Sequence, residues 1–319
     1  MKALICGISG QDGSYLAKYL VNKGYEVLGT SRDSSTLNSK NLNYLQIEDK
    51  VKITSMSICD FGSVMNIVKN FKPDEIYNLA GQTSVGLSFK QPLETMESIS
   101  KATLILLEVI RLLDLPIKFY SAGSSECFGN TLGLSASEET LFKPCSPYGV
   151  AKSSSYWLVR NYREAYGIFA CTGILFNHES PLRANKFVTQ KIVKSALEIK
   201  KGNLDFLKIG NIDIKRDWGW APDYIEAIWL IMQQREANDF VIATGKSHTL
   251  GEFIEQAFNY FELDWQKHIK VDKSLFRPSE IKESYGNPSL AYSKLGWKAQ
   301  VKFDEIIIQM CKAAEENVL

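Results

Sequence analysis

A short apolar run, Ala3-Leu4-Ile5-Cys6, leads without a loop into Gly7-Ile8-Ser9-Gly10-Gln11-Asp12-Gly13. Glycines spaced three apart, straight after an N-terminal strand and ahead of an amphipathic stretch, leave few folds open. Lacking Cβ, glycine permits the tight turn, lets the backbone approach an anion, and packs a helix start against the strand, where free N–H groups meet that anion. A βαβ unit that cradles a dinucleotide through Gly7, Gly10 and Gly13 satisfies all three demands.

The first half of the chain repeats the alternation. Strands are predicted at Ala3–Cys6, Glu26–Thr30, Lys52–Ser55, Glu75–Leu79 and Lys118–Ser121, and helices at Ser14–Asn22, Phe61–Asn70 and Met96–Leu113. In the last helix Ile99, Ala102, Thr103, Leu106, Ile110 and Leu113 share one face. Gly24 stands where the glycine after a helix belongs. This pattern builds an α/β fold, a doubly wound parallel sheet of Rossmann type, with a smaller C-terminal α/β substrate-binding domain. Past Tyr148 a helix is predicted to about Tyr166, then a strand at Phe169–Phe176, after which the pattern turns irregular. Residues 1–176 are therefore expected to bind mainly cofactor and 177–319 mainly substrate, with segments returning to the first domain. The second half holds a helix near Val188–Lys200, a strand near Asp239–Ala243, a helix from Gly251 behind the capping-box pair Thr249 and Glu252, and a closing amphipathic helix from about Asp304.

With 37 basic and 36 acidic side chains the formal charge is +1, so no overall field draws nucleic acid or a membrane surface. A charged ligand must meet a local cluster. The six cysteines lack CxxC spacing, which predicts reduced thiols in a cytoplasmic protein and no metal site. No run of 18 apolar residues occurs, and neither export nor membrane insertion is expected.

After the second strand comes Thr30-Ser31-Arg32-Asp33-Ser34-Ser35. An arginine flanked by serines suits the 2′-phosphate of NADP better than the bare ribose of NAD, while Asp33 either repels that phosphate or pairs with a neighbour. Tyr148 and Lys152 are four apart on one helix face, a spacing that lets the lysine charge lower the phenol pKa and make tyrosine a base for an alcohol losing hydride. Ser124 and Glu126 follow the strand ending near Ser121, so they are predicted to converge with Tyr148 at the crevice. Glu126 is either a second acid/base or a structural hydrogen-bonding residue at the strand end. Together these segments resemble an extended short-chain dehydrogenase/reductase.

Gly10-Gln11-Asp12-Gly13-Ser14-Tyr15-Leu16 joins Gly173 to Arg183, Phe187 to Ile192, Gly210-Asn211, Lys215 to Gly219, and Phe276-Arg277-Pro278-Ser279-Glu280 in one ordered set. This set is similar to the GDP-mannose 4,6-dehydratase family from the N-terminus to about Trp297. The resemblance implies Ser124, Glu126, Tyr148 and Lys152 as catalytic residues. It implies cofactor contacts from Gln11, Asp12, Ser57, Ile58, Leu79, Ala80, Gly81, Thr83, His178 and Arg183, beside the glycines, Arg32, Tyr148 and Lys152. Substrate contacts are implied for Ser84, Asn177, Val188, Lys191, Gly210, Arg216, Arg277 and Glu280. Cys6, Asp33, Ser57, Ser84 and the pair Cys127-Phe128 depart from the family's usual residues. The implied activity is dehydration of GDP-mannose to GDP-4-keto-6-deoxymannose through internal hydride transfer with tightly bound NADP, in a homo-oligomer, dimer or tetramer. Two alternatives are a reductase or 4-epimerase on a related nucleotide sugar, and a non-catalytic NADP-binding sensor or scaffold.

Overall fold

The computed structural model describes residues 1–316. Seven parallel strands form the main sheet: β1 (Lys2–Cys6), β2 (Glu26–Ser31), β3 (Lys52–Ser55), β4 (Glu75–Asn78), β5 (Lys118–Ala122), β6 (Ala170–Leu175) and β7 (Phe240–Ile242). Their order is β7-β6-β5-β4-β1-β2-β3. β1 thus lies between β2 and β4, and the chain winds outward from it in both directions. That is the switch point at which a doubly wound sheet opens a crevice beyond the strand ends.

Strand alternation divides the core. Ala3, Ile5, Tyr77 and Tyr120 face one side, against α1 (Gln11–Asn22) and α6 (Ala221–Met232). Leu4, Cys6, Ile76 and Phe119 face the other, against α2 (Phe61–Phe71), α3 (Ala102–Leu113) and α4 (Pro147–Tyr166). Both faces are covered, so these strands are nearly continuous in apolar character. A separate core of Ile192, Leu207, Trp218, Phe253 and Ile306 gathers α5 (Val188–Lys200), α7 (Leu250–Tyr260) and α8 (Phe303–Glu315). The short strands Asn177–Glu179 and Trp218–Trp220 pair in parallel where the two cores meet. Among the described residues no helix is long and apolar enough to cross a membrane.

The predicted helix Met96–Leu113 is not continuous. A helix at Pro92–Met96 passes into a π turn at Glu97–Lys101 before α3 begins. The extra residue brings the Ser98 hydroxyl to the Gln82 N–H at 3.2 Å and the Ser98 carbonyl against Gly81, where a Cβ would approach to 2.9 Å. The capping box of α7 forms as expected, Thr249 Oγ1 accepting from Glu252 N and Glu252 Oε2 from Thr249 N, both at 3.0 Å. Thr249→Ala is expected to destabilise the protein by about 1 kcal/mol, read as a lower urea midpoint with an unchanged slope.

Candidate active site

Helix α1 begins inside the glycine segment, three residues earlier than its apolar period predicts, because Gly10 in extended conformation serves as its cap. Gly7 has φ +86°, and a Cβ there would sit 3.0 Å from Ala80 Cα; at Gly13 it would sit 2.2 Å from Gly7 O. Both positions exclude any larger residue. At Gly10 a Cβ would meet nothing nearer than Gly7 O at 3.4 Å, so internal packing does not require glycine there. A ligand whose pyrophosphate meets the backbone there would. Since no side chain caps α1, its first N–H groups are open to a pyrophosphate, and the residues fit a dinucleotide.

Asp12, in the first turn of α1, accepts from His178 Nε2 at 2.9 Å, and the other imidazole nitrogen meets Phe176 O at 2.7 Å. Burial alone would raise the Asp12 carboxyl, but His178, Gln11 and Arg183 bring it down to about 2. For His178 burial acts downward, and Asp12 outweighs it to leave the imidazole above its ordinary 6.5. The folded protein therefore holds this proton more tightly than the unfolded chain. The stabilisation is complete below pH 6.5 and is lost as pH climbs through the folded value. Melting temperature is expected to fall over that window, and His178→Gln to flatten the fall.

Beyond β5, Ser124 caps a single 3-10 turn by accepting from Glu126 N at 3.3 Å. Ser146 caps α4 through Gly149 N, and Pro147 opens the helix, which sets Tyr148 and Lys152 on its buried face. Tyr148 and Ser124 both line the cleft, with the Ser124 hydroxyl near enough to act on the phenol. Burial pushes that phenol well up, and Ser124 is the strongest pull downward. Lys152 Nζ donates to Ala122 O at 2.6 Å and stands 5.8 Å from the Tyr148 ring centre, while burial lowers its own pKa to about 8. Its charge is held at the strand end, and Ser124 tunes the phenol.

Glu126 faces the C-terminal half. Arg277 Nη1 is 3.8 Å from Glu126 Oε1 and 3.5 Å from Glu280 Oε1, and Arg216 Nη2 donates to Glu280 at 3.0 Å. Arg216 Nη1 also donates to Ile281 O at 2.8 Å, which fixes the guanidinium. Burial raises the Glu126 carboxyl against the pull of Arg277 and then Arg216.

A cleft of about 370 Å³ collects Asp12, Leu79, Ala80, Thr83, Ser84, Ser124, Glu126, Tyr148, Lys152, Asn177, His178, Arg183, Val188, Arg216 and Arg277 from the predicted set. Gly7, Gly10, Gly13, Gln11 and Gly81 do not line it, and Gly10 is exposed; Gln11 bridges His178 O at 3.2 Å and Ser180 Oγ at 2.8 Å. Arg32 lies apart, in a shallow recess with Lys90 to Glu94. Asp33 accepts from the N–H and hydroxyl of Ser35, and so pairs within its own turn. Ser57 is exposed and Ile58 is buried in the core. Lys191 is exposed and donates to Lys208 O, Gly210 backs onto Leu275, and Glu280 is committed to the two arginines.

Sequence reasoning missed Glu179 and Phe187. Both line the cleft. The Glu179 carboxylate, almost fully buried, takes the Thr189 hydroxyl at 2.6 Å and Arg183 at 3.3 Å, while Phe187 lies 3.8 Å beneath the Arg183 guanidinium. The spacing of Glu179 and Arg183 was the available signal, obscured because no regular helix carries it.

The chain matches the protein family described as GDP-mannose 4,6 dehydratase over residues 4–310. It is 44% identical to GDP-mannose 4,6 dehydratase 1 of Arabidopsis thaliana, covering 97% of this chain and 88% of that protein. Against GDP-mannose 4,6 dehydratase of Homo sapiens identity is 42%, with 98% and 91% covered. In fold it is similar to a UDP-glucose 4-epimerase from Thermotoga maritima with UDP-glucose (TM-score 0.89, 22% identity, 100% of both chains). It is likewise similar to a dTDP-glucose 4,6-dehydratase from Bacillus anthracis in complex with NAD (TM-score 0.87, 19% identity, 99% and 97% covered).

Proposed function

Because the chain belongs to the GDP-mannose 4,6-dehydratase family, we propose that it converts GDP-mannose to GDP-4-keto-6-deoxymannose with loss of one water and no net use of cofactor. The observation that carries this reading is the meeting of a buried phenol, Tyr148, and a buried carboxylate, Glu126, on one cleft wall with Ser124 between them. A plain alcohol dehydrogenation needs the phenol alone. Loss of water from the neighbouring carbons needs a second acid/base.

A dinucleotide held by the glycine segment, His178, Arg183 and Lys152 would supply a reversible hydride acceptor, able to take hydride from carbon 4 of the sugar and give it back at carbon 6. Tyr148 takes the proton of the 4-hydroxyl, and Ser124 holds the phenol oxygen in place. Lys152 presents an ammonium to the cofactor ribose. A ketone at carbon 4 acidifies carbon 5, whose proton Glu126 removes and then delivers to the hydroxide leaving carbon 6; once hydride is back at carbon 6, carbon 5 is reprotonated by a proton from solvent. Burial suits Glu126 to both tasks, since a raised carboxyl is a stronger base when ionised and keeps its proton to higher pH than an ordinary carboxyl. Arg216 and Arg277 supply the cations a diphosphate needs.

Arg32 and the Ser34 hydroxyl beside it favour NADP over NAD. Arg32→Ala is expected to weaken NADP binding by about 10- to 100-fold and leave NAD nearly unchanged, measured by titrating each dinucleotide. A homo-oligomer is expected as well, joined across α3 and α4, where Leu104, Leu112, Trp157 and Tyr166 remain exposed. A monomer on sizing at working concentration would contradict it. All six cysteines are free, which supports a reducing, cytoplasmic setting.

The test is mass analysis of GDP-mannose incubated with the protein and catalytic NADP. Loss of one water is expected. An unchanged mass would favour an epimerase, a reductase that takes a keto-sugar instead, or a silent binder.

A further inference from the structure

Four charged side chains form one chain across the cleft: Glu126, Arg277, Glu280 and Arg216, linked at 3.8, 3.5 and 3.0 Å. Two cations balance two anions. Arg277 is the most solvent-reaching of the four, its side chain 34% exposed, while those of Arg216 and Glu126 are 6% and 15% exposed. Arg216 is also tied to two backbone carbonyls, whereas the two carboxylates are the only partners of Arg277 among the described residues. The most exposed and least tethered member of the chain is therefore the one that pairs with the acid/base.

Resting on the dehydratase reading above, we propose that Arg277 serves two anions in turn, Glu126 first and the diphosphate of a nucleotide sugar second, so that substrate binding strengthens Glu126 as a base. The diphosphate draws the guanidinium away and places negative charge near a carboxylate that is mostly out of water, where charges act over greater reach than in solvent. Glu280 repels Glu126 and stays behind to hold Arg216. The other groups facing Glu126 do not offset the change: Cys127 on its own turn is a buried neutral thiol, and Tyr148 on α4 is a neutral phenol well above its ordinary range. Lys152 is held at Ala122 O, 5.8 Å from the Tyr148 ring centre. Proton affinity thus rises when substrate is in place, which is when carbon 5 must be deprotonated.

The experiment uses the cofactor-loaded Tyr148→Phe protein, in which GDP-mannose binds without turning over. Binding heat is measured at about pH 6 in buffers of different ionisation enthalpy. Uptake on the order of half a proton per site is expected. It should vanish in Tyr148→Phe/Glu126→Gln and shrink in Tyr148→Phe/Arg277→Gln, where the counter-ion is already gone. Binding without uptake, with proton release, or with uptake that survives Glu126→Gln would overturn the proposal and leave the dehydratase reading standing. Failure of GDP-mannose to bind would overturn both. In the unsubstituted enzyme the acid limb of kcat should lie above that of kcat/KM, since the first reports the substrate complex and the second the free enzyme; a purely structural Arg277 would leave the two limbs together.

Discussion

Glu126→Gln is expected to lower kcat for water loss by about 10²–10⁴-fold while KM stays the same or falls. The amide matches the carboxylate in shape, and the Glu126 backbone N–H keeps its bond to Ser124 Oγ, so the 3-10 turn persists. What disappears is the group that takes the carbon 5 proton and returns one to the leaving hydroxide. Arg277, released from a competing anion 3.8 Å away, remains free for diphosphate. Steady-state kinetics gives the fall, and exchange of the carbon 5 hydrogen with deuterated water locates it: exchange should stop in the variant. Retained turnover would make Glu126 a bystander and return the chain to reductase or epimerase chemistry.

Tyr148→Phe is expected to reduce turnover by about 10²–10⁴-fold, by a different route. Without the hydroxyl the 4-hydroxyl of the sugar loses its base, so the first step fails and everything after it. In a single turnover this variant should show no near-ultraviolet absorbance of reduced nicotinamide, whereas Glu126→Gln should show it. Stability should change little, because Ser124 Oγ keeps the Glu126 N–H as partner and the ring still packs on Ile99 and Ala151. A denaturation midpoint close to that of the parent protein would separate lost chemistry from lost fold.

The two halves of this account were unequally legible in the sequence. β1 to β6 and their helices follow from local period and from Gly7, Gly13 and Gly24, because a buried parallel sheet needs apolar runs and its turns need glycine. Tyr148 and Lys152 were legible for the same reason: four residues along a helix is a distance that spacing alone sets. The π turn at Glu97–Lys101 was not, since its cause lies in Gly81 and Gln82, which meet Ser98 only in the folded chain. Nor was the link from Glu126 to Arg277, which joins two loops from opposite halves, or the pairing of Asn177–Glu179 with Trp218–Trp220, too short to carry a period. The Ala122 carbonyl that holds the Lys152 ammonium was equally hidden, since helical spacing gives proximity but not that partner. Local chemistry was readable; the electrostatics that tune it are set by contacts distant in sequence.

The central claim is an internal hydride cycle on one sugar, with Glu126 and Tyr148 acting in the same cleft. The most direct measurement starts from GDP-mannose carrying deuterium at carbon 4, in ordinary water with catalytic cofactor, and reads the label by nuclear magnetic resonance of the product. The deuterium is expected at carbon 6 of the same molecule, with the carbon 5 hydrogen drawn from solvent. Label left in the cofactor pool, or retained at carbon 4, would contradict it.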